Sequence, residues 1–493
     1  MTASDRDLPA VPQISELSDQ GIRDAARSDH YGKDVAQRHR QRSSLSAVPH
    51  DDPSISSDRE IDVTSALTPP AGSPPASSWS AESAGARPLP QGAEEALVRE
   101  APDLIAVRRH LHAHPELSGQ EFQTTALVVR RLTGLGLTPR LLPKGNGLYC
   151  DIVGAADGPM VAFRADLDAL PLLDSKAVDY RSTVPGVCHA CGHDVHTTVL
   201  LGLASVLVPL AKRGALAGRV RLIFQPAEET VPSGAPEVIA AGALDGVSSI
   251  YALHCAPQFP VGTVGVRPGP LTAASATLEV RVSGAGGHTA RPHLTTHLVD
   301  ILGRVIVDLP GVLTHRMDPR WPVSLVWGAV HAGEAFNTIP VEGTVRGTVR
   351  SLSREGWHEA GAIIAKVVPD LVAGSGADVE VRYVEGFPPV INDPGAAALI
   401  AAAAARALGV GQVVEAPVSM GSEDFSYYLE RVPGAMIRLG VTAPGVTAPY
   451  DTHQSGFDVD ERAIECGVRV LAHTALAALA DTGAGEPGKG TQR

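Results

Sequence analysis

The chain of 493 residues has few cysteines and no excess of positive charge. Its five cysteines are an odd number, which favours reduced thiols over a disulfide framework and predicts a cytoplasmic protein. The formal net charge of -13 at pH 7 argues against a nucleic-acid binder, because such proteins need a basic surface to meet phosphates.

The chain also lacks a recognisable leader and a long apolar run. Its first residues, MTASDRDLPAVPQ, contain neither the basic start nor the apolar segment of a secretory signal. The longest apolar stretches, such as residues 199–211, are shorter than the roughly 20 residues that a membrane span needs. We therefore expect buried helices and no membrane partner.

The first 92 residues have almost no aromatic side chains. They contain no phenylalanine, one tyrosine (Tyr31) and one tryptophan (Trp79), and segments such as PPAGSPPASSWS are rich in proline and serine. This composition cannot bury enough apolar surface to offset the entropy lost on ordering. We predict a disordered extension over residues 1–92, with room for a short helix near 22–40, and a disordered tail over 482–493.

From about residue 93 the pattern is typical of an α/β protein. Apolar residues recur at helical spacing, and short, fully apolar runs alternate with these helices. Such runs predict a sheet that helices cover on both faces. The predicted helices are 94–112, 121–135, 196–211, 394–408 and 461–480. The predicted strands are 148–153, 160–164, 220–224 and 250–254.

The pattern changes after residue 271, where strands alternate between apolar and polar residues, as in TLEVRV. Up to residue 385 the predicted order is strand, helix, strand, strand, helix, strand, which is the split βαβ pattern of ferredoxin-like folds. We predict a compact α+β domain at 272–385, inserted between two parts of a larger domain at 93–271 and 386–481.

Residues 188–196, CHACGHDVH, contain the side chains that bind divalent transition metals. A structural zinc site would call for a second C-x-x-C pair, and a redox role would call for a thioredoxin-like context; the sequence has neither. The three histidines favour a metal. Cys191 and His193 are separated by one residue, which suits a loop or strand end. Cys188 and His196 could lie outside the ligand set.

A pair of glutamates, Glu228 and Glu229, follows the apolar run RLIF in the segment FQPAEE. Adjacent glutamates are usually solvated charge on a helix surface. These instead follow a predicted buried strand, and ligands gather at the carboxyl ends of the strands of an α/β sheet. One carboxylate can then bind a metal while the other transfers a proton.

Two aspartates and two single histidines complete the set of candidates. Asp166 and Asp168, in RADLDALP, could orient a metal-bound histidine or simply cap a turn. His254 ends an apolar run in YALHCAP, and His453 lies in the polar segment YDTHQSGF. Taken alone, each histidine is more often structural than a ligand.

Ten motifs, in this order, resemble those of the M20 metallopeptidase superfamily, and most closely those of its amidohydrolase branch, which hydrolyses auxin conjugates, hippurate and other N-acyl amino acids. The resemblance covers residues 99–479 but not the N-terminal extension. The motifs are LHAHPELSGQE, RADLDALP, CHACGHDVHT, FQPAEE, ALHCAP, SGAGGHTARPH, FNTIP, GTVR, GSEDFSYYL and HQSGFDVDE.

The resemblance implies a zinc-peptidase-like catalytic core, a mixed sheet flanked by helices, with an inserted ferredoxin-like lid, and a homodimer formed through that lid. It implies two divalent ions, and the mixed sulfur, nitrogen and oxygen donors suit Zn or Mn, with Co tolerated. It implies Glu228 as the general base and Asp168 as an orienting residue. His288 and Asn337, in the lid, match positions that contact the substrate. The implied metal ligands are Cys191, His193, Glu229, His254 and His453.

The sequence departs from the family pattern at Cys188, where relatives often have methionine. This substitution adds a thiol beside the site and could make the protein sensitive to oxidation. The segment LLDSKAVDY also lacks the acidic pair often seen after DALP, and HQSGF replaces a more apolar sequence. These changes leave the implied metal ligands in place.

The function that we predict is metal-dependent hydrolysis of the amide bond of N-acyl amino acids. A water that bridges the metals would give its proton to Glu228, which would then protonate the leaving amine. The alternatives are a dipeptidase or aminoacylase with the same two-metal site, a metal-dependent binding protein without catalysis, and a C-x-x-C redox protein.

Overall fold

The computed structural model describes residues 86–481 of the chain. Residues 1–85 of the extension predicted over 1–92, with its short helix near 22–40, and the predicted tail at 482–493 lie outside the described residues. Residues 86–92, predicted as the end of the extension, are described: Leu89 is buried, and its backbone N–H donates to Glu94. The packed part of the chain therefore begins before residue 93.

Seven long helices of the described chain occur at or near the predicted positions, and two short helices, at Ala235–Ala240 and Ser426–Leu429, are not among those predicted. The helices are α1 (Ala93–Ala113), α2 (Phe122–Gly134), α3 (His193–Lys212), α4 (Ala235–Ala240), α5 (Leu298–Arg316), α6 (Arg354–Val372), α7 (Pro394–Leu408), α8 (Ser426–Leu429) and α9 (Arg462–Ala480).

The strands fall into one large sheet and several smaller ones. They are β1 (Arg140–Leu141), β2 (Leu148–Val153), β3 (Ala156–Asp166), β4 (Ala217–Gln225), β5 (Val247–Pro260), β6 (Val264–Val266), β7 (Gly269–Thr272), β8 (Ala274–Ser283), β9 (Gly287–His288), β10 (Val323–Ala332), β11 (Thr338–Ile339), β12 (Glu342–Ser351), β13 (Asp378–Glu385), β14 (Val390–Asn392), β15 (Val413–Glu415) and β16 (Gly434–Thr442).

The large sheet of the described chain is mixed, with the strand order β1-β2-β4-β3-β5-β16-β6-β15. Its four central strands β4, β3, β5 and β16 are parallel to one another. Successive residues of β3 enter different apolar clusters: Phe163 packs with residues of α1, α3 and α9, and Ala162 packs with residues of α4 and α8. Helices thus cover both faces, which is why these strands are apolar throughout.

Two of the helices are long and apolar enough to cross a membrane by length and composition alone. They are α3 and α9, with mean hydropathies of 1.6 and 1.4. The structure buries 89% and 67% of their most apolar windows. Both helices pack against the large sheet, so their apolar character is explained by the core.

A second sheet contains β10-β12-β8-β13, and all neighbouring strands in it are antiparallel. Helices α5 and α6 pack on one of its faces and form a separate apolar cluster that includes Leu278, Val305 and Ile364. The chain order and strand order are those of a split βαβ fold. That this unit acts as a lid stays a prediction.

Candidate metal centre

The candidate residues gather at the carboxyl edge of the parallel strands. Asp166 is the last residue of β3, and Glu228 and Glu229 follow the end of β4. His254 lies in β5, which pairs with β3 in parallel. Strands that run in the same direction present their ends at one edge, so residues far apart in sequence meet there.

Gly192 places the two motif ligands at the start of α3. Its φ of 89° is in the left-handed region, and a Cβ added there would lie 2.7 Å from Cys255 Sγ. Only glycine fits this conformation and this close contact. Cys191 precedes the turn and His193 begins the helix, so both side chains reach the same point.

The five predicted ligands form one cluster. Cys191 Sγ lies 3.4 Å from His254 Nε2, and His193 Nε2 lies 3.8 Å from Glu229 Oε1. His453, with an unusual φ of 64°, approaches from the far end of the chain, and its Nε2 lies 3.1 Å from Glu229 Oε1. The structure therefore brings together all five side chains that the sequence suggests.

The donor set fits a divalent cation. The Nε2 of His193 is buried and has no hydrogen-bond partner, although buried nitrogens in proteins nearly always have one. Burial disfavours a charged imidazole, yet Asp166 and Asp168 raise the pKa of His193 to about 10, so the pocket favours positive charge. A thiol, imidazoles and a carboxylate at this spacing suit zinc and similar metals.

Hydrogen bonds fix the ring orientations of two of the histidines. His193 Nδ1 donates to Asp168, 2.9 Å from the backbone oxygen and 3.2 Å from Oδ1. His254 Nδ1 donates to the backbone oxygen of Cys255 at 2.8 Å. In each ring this leaves Nε2 as the nitrogen that faces the cluster and can bind a metal, with loss of any proton it carries.

Asp168 contacts both His193 and the segment after β4, and its orienting role stays a prediction. Its Oδ2 accepts from Ser118 Oγ at 2.7 Å and from the backbone N–H of Glu229 at 2.9 Å. Although burial opposes ionisation, the hydrogen bond from His193 lowers the pKa of Asp168 below its ordinary value. One carboxylate thus holds both His193 and the segment that contains Glu229.

We expect Asp168→Asn to weaken metal binding by about 10- to 100-fold, because it removes the charge that orients His193. Competition with a chelator measures the affinity, and Ser118→Ala is the matched control, since it removes a single hydrogen bond to Asp168 Oδ2 and leaves the contact of Oδ1 with His193 in place. Unchanged affinity in Asp168→Asn would contradict the orienting role.

His196 is not placed as a ligand. Its Nδ1 donates to Asp166 Oδ1 at 2.6 Å, and its Nε2 accepts from the backbone N–H of Cys255 at 2.9 Å. Both ring nitrogens are therefore occupied by protein groups. The ring instead links the end of β3 to β5.

Cys188 belongs to a different buried cluster. Its thiol lies 3.9 Å from Lys176 Nζ, which in turn lies 3.0 Å from Asp174 Oδ1. His112 adjoins the same group. The structure thus separates the two cysteines of the C-x-x-C sequence: Cys191 faces His254, and Cys188 faces a lysine.

Glu228 lies at the centre but is not needed to complete the ligand set. Its side chain is buried, and its Oε2 lies 4.0 Å from His193 Nε2. Burial, and then the carboxylates of Glu423 and Glu229, raise the pKa of Glu228 well above its ordinary value. A carboxylate with a raised pKa beside a metal site can accept and return a proton near neutral pH.

The two predicted substrate contacts lie together on the second unit, which is the split βαβ fold formed by the second sheet with α5 and α6. β9 pairs with β11, and the backbone N–H of Thr289 donates to the backbone oxygen of Asn337 at 3.1 Å. Both His288 and Asn337 are exposed, and neither is among the residues that line the cavity around Glu228. Their contact with substrate stays a prediction.

That cavity, about 480 Å³ in volume, is also lined by two arginines that the motif analysis did not single out as site residues. Arg350 ends the motif GTVR in β12, and Arg438 lies in the apolar run AMIRLGV of β16. A charged residue inside an otherwise buried strand was the available signal for Arg438.

Two curated relatives have similar sequences. A putative glutamate–cysteine ligase of Rhodococcus jostii is 48% identical over 378 residues, which cover 77% of this chain and 47% of that protein. The chain thus spans about half the length of that relative. An N-acetyl-L-cysteine deacetylase of Bacillus subtilis is 37% identical over 361 residues, covering 73% of this chain and 84% of the deacetylase.

The fold and the family model agree with these sequence relatives. The crystal structure of the Bacillus subtilis YXEP protein, a dinuclear metal-binding peptidase from the M20 family, matches with a TM-score of 0.67 and 34% identity, covering 78% of this chain and 99% of that chain. The family model Peptidase family M20/M25/M40 matches residues 162–477. The region that carries every candidate ligand is therefore the region that identifies this chain as a member of peptidase family M20/M25/M40.

Proposed function

We propose that the protein is a metal-dependent amidohydrolase that cleaves the amide bond of N-acyl amino acids. The observation that carries the proposal is the placement of buried Glu228 beside the cluster of five proposed ligand side chains. A protein that only bound metal would have no need of a further buried acid beside its ligands. The Bacillus subtilis relative named N-acetyl-L-cysteine deacetylase supports an N-acyl amino acid as substrate.

We further propose two divalent ions, zinc or manganese with cobalt tolerated, held by the five ligands named above. The related dinuclear YXEP peptidase supports the number of ions. Bound ions would polarise the amide carbonyl and make water easier to deprotonate. Burial and the glutamates raise the pKa of the Cys191 thiol, and binding to a cation would reverse that effect.

The protein's own groups would then transfer the proton. Glu228 would take it from the attacking water at a carboxylate oxygen and deliver it to the nitrogen of the leaving amine. Asp168 would keep His193 fixed while this happens. His288 and Asn337 would contact the acyl oxygen or the amino-acid half if the second unit closes over the cavity.

The proposal includes a cytoplasmic homodimer. Val326 and Val330 of β10, an edge strand of the second sheet, are 61% and 53% exposed. An exposed apolar edge of this kind is a typical site for pairing with a second sheet. The five cysteines are all unpaired, as in a reducing compartment.

A panel of N-acetyl amino acids, including N-acetylcysteine, and of dipeptides tests the function. We expect turnover of at least one N-acyl amino acid by zinc- or manganese-loaded protein, and none after removal of the metal. Preference for dipeptides would move the function to the dipeptidase alternative. Turnover by the metal-free protein would contradict the mechanism.

A further inference from the structure

Arg438 lies where two cavities meet. It is in β16, in register with His254 of the neighbouring strand β5. Its side chain lines the cavity that contains Glu228 and also a second cavity of about 510 Å³. Ser419 and Thr452 line both cavities as well. The second cavity thus opens beside the candidate metal centre, with Arg438 at the junction.

The side chain of Arg438 has no hydrogen bond or close ion pair with any described residue, although its backbone pairs within the sheet. The buried arginines of the described chain all hold a carboxylate: Arg108 with Asp194 at 2.9 Å, Arg164 with Asp424 at 2.6 Å, and Arg221 with Asp151 at 2.7 Å. A partly buried guanidinium without a partner is costly, since arginine does not lose its charge to relieve the cost.

The acids nearest to Arg438 have other roles. Glu423 Oε1 lies 3.2 Å from Arg164, and Glu228 is the proposed base. Cys191 would bind a cation in the loaded enzyme. Binding of two divalent ions would add positive charge beside Arg438 and leave its own charge less compensated. The position therefore favours an anion that arrives with the substrate.

A second arginine already offers a place for one carboxylate. Arg350 lines the cavity around Glu228 but not the second cavity, and its one close partner is the backbone oxygen of Met420, at 2.6 Å. Arg350 and Arg438 belong to different sheets. Two arginines without carboxylate partners, only one of which reaches the second cavity, suit a substrate with two anionic groups.

We propose that Arg438 binds a carboxylate at the end of the acyl chain, so that the preferred substrates are N-acyl amino acids derived from dicarboxylic acids. This inference rests on the proposed amide hydrolysis. The second cavity would hold the acyl chain, between Pro257, Pro417 and Val418, with its carboxylate on the guanidinium. Asp451, which also lines this cavity, is exposed and accepts from the backbone N–H of Thr452.

The kinetic test compares N-succinyl-L-alanine with N-acetyl-L-alanine in wild type, Arg438→Gln and Arg438→Lys. We expect Arg438→Gln to lower kcat/KM for the succinyl substrate by about 10- to 100-fold, mainly through KM, because a charge-assisted hydrogen bond is lost. The acetyl substrate should change by less than about threefold, and lysine should restore part of the succinyl activity.

A binding test does not depend on turnover. Calorimetry compares glutarate with butyrate on zinc-loaded protein, and we expect the preference for glutarate to disappear in Arg438→Gln. Arg354→Gln is the matched control, since Arg354 pairs with Glu430 and lines neither cavity. Melting temperature and zinc content identify a variant that has lost its fold or its site.

The results separate the two proposals. Equal loss on both amides, or a glutarate preference that survives in Arg438→Gln, would overturn the subsite and assign Arg438 to charge balance around Glu228. If neither amide is hydrolysed but the glutarate preference depends on Arg438, the subsite stands and amide hydrolysis fails. If hydrolysis of both amides requires Glu228 but does not change in Arg438→Gln, the proposed function stands and the subsite is rejected.

Discussion

Glu228→Gln is expected to lower kcat by about 10²- to 10⁴-fold while the protein still binds its metal ions. A general base contributes roughly this much to the rate of proton transfer. Glutamine has the shape of glutamate and fits the same buried space, but it cannot accept a proton at neutral pH. Single-turnover kinetics on the best substrate of the panel, with metal content measured on the same sample, gives both quantities.

The neighbouring residue provides the control. Glu229→Gln changes the same kind of side chain one position away, and there we expect loss of bound metal along with activity, because Glu229 Oε1 faces both His193 and His453. If Glu228→Gln lost metal as well, Glu228 would be a ligand. If it kept most of its activity, another group would have to act as the base.

Cys191→Ser is expected to lower kcat/KM by at least about 100-fold and to reduce bound metal. Even the loss of a residue that only hydrogen-bonds to a metal ligand lowers metal affinity or activity by about 10- to 100-fold. A serine hydroxyl is a much weaker donor to zinc or manganese than a thiolate. Metal analysis after gel filtration, together with activity across a range of added zinc, measures the effect. Excess zinc should restore part of the lost activity.

Cys188→Ser is the matched control, three residues away in the same motif. Its thiol contacts Lys176 and not the ligand cluster, so we expect nearly normal metal content and activity. Serine at this position should also protect the protein from oxidants that reach this cluster. Equal losses from the two cysteine changes would favour the C-x-x-C redox alternative.

The sequence was most informative where periodicity or short spacing carried the signal. The boundaries of β2 and α7 agree with the prediction, because glycines flank β2, and because α7 begins at a proline and ends just before a glycine. Helix α3 begins at His193 and not at residue 196, because the left-handed turn at Gly192 starts the helix before its first apolar residue. Local pattern does not reveal such a turn.

The site was harder to predict than the fold, since its parts are distant in sequence. His254 and His453 look like ordinary single histidines, and only the meeting of β5 with the loop before α9 joins them to Cys191. His196 resembles a ligand in the motif, yet both its nitrogens bond to protein. The junction position of Arg438 depends on the packing of two strands and two cavities, which no spacing rule describes.

The path of the chain between His254 and His453 has a consequence for assembly. The whole second sheet, with its own apolar cluster, is built from the residues between these two ligands. The last ligand therefore arrives only after that unit has been synthesised and the chain has returned to the large sheet. Because the unfolded chain holds its ligands far apart, tight metal binding favours the completed fold and stabilises it by mass action. Metal retention thus reports whether both halves of the interrupted core have joined.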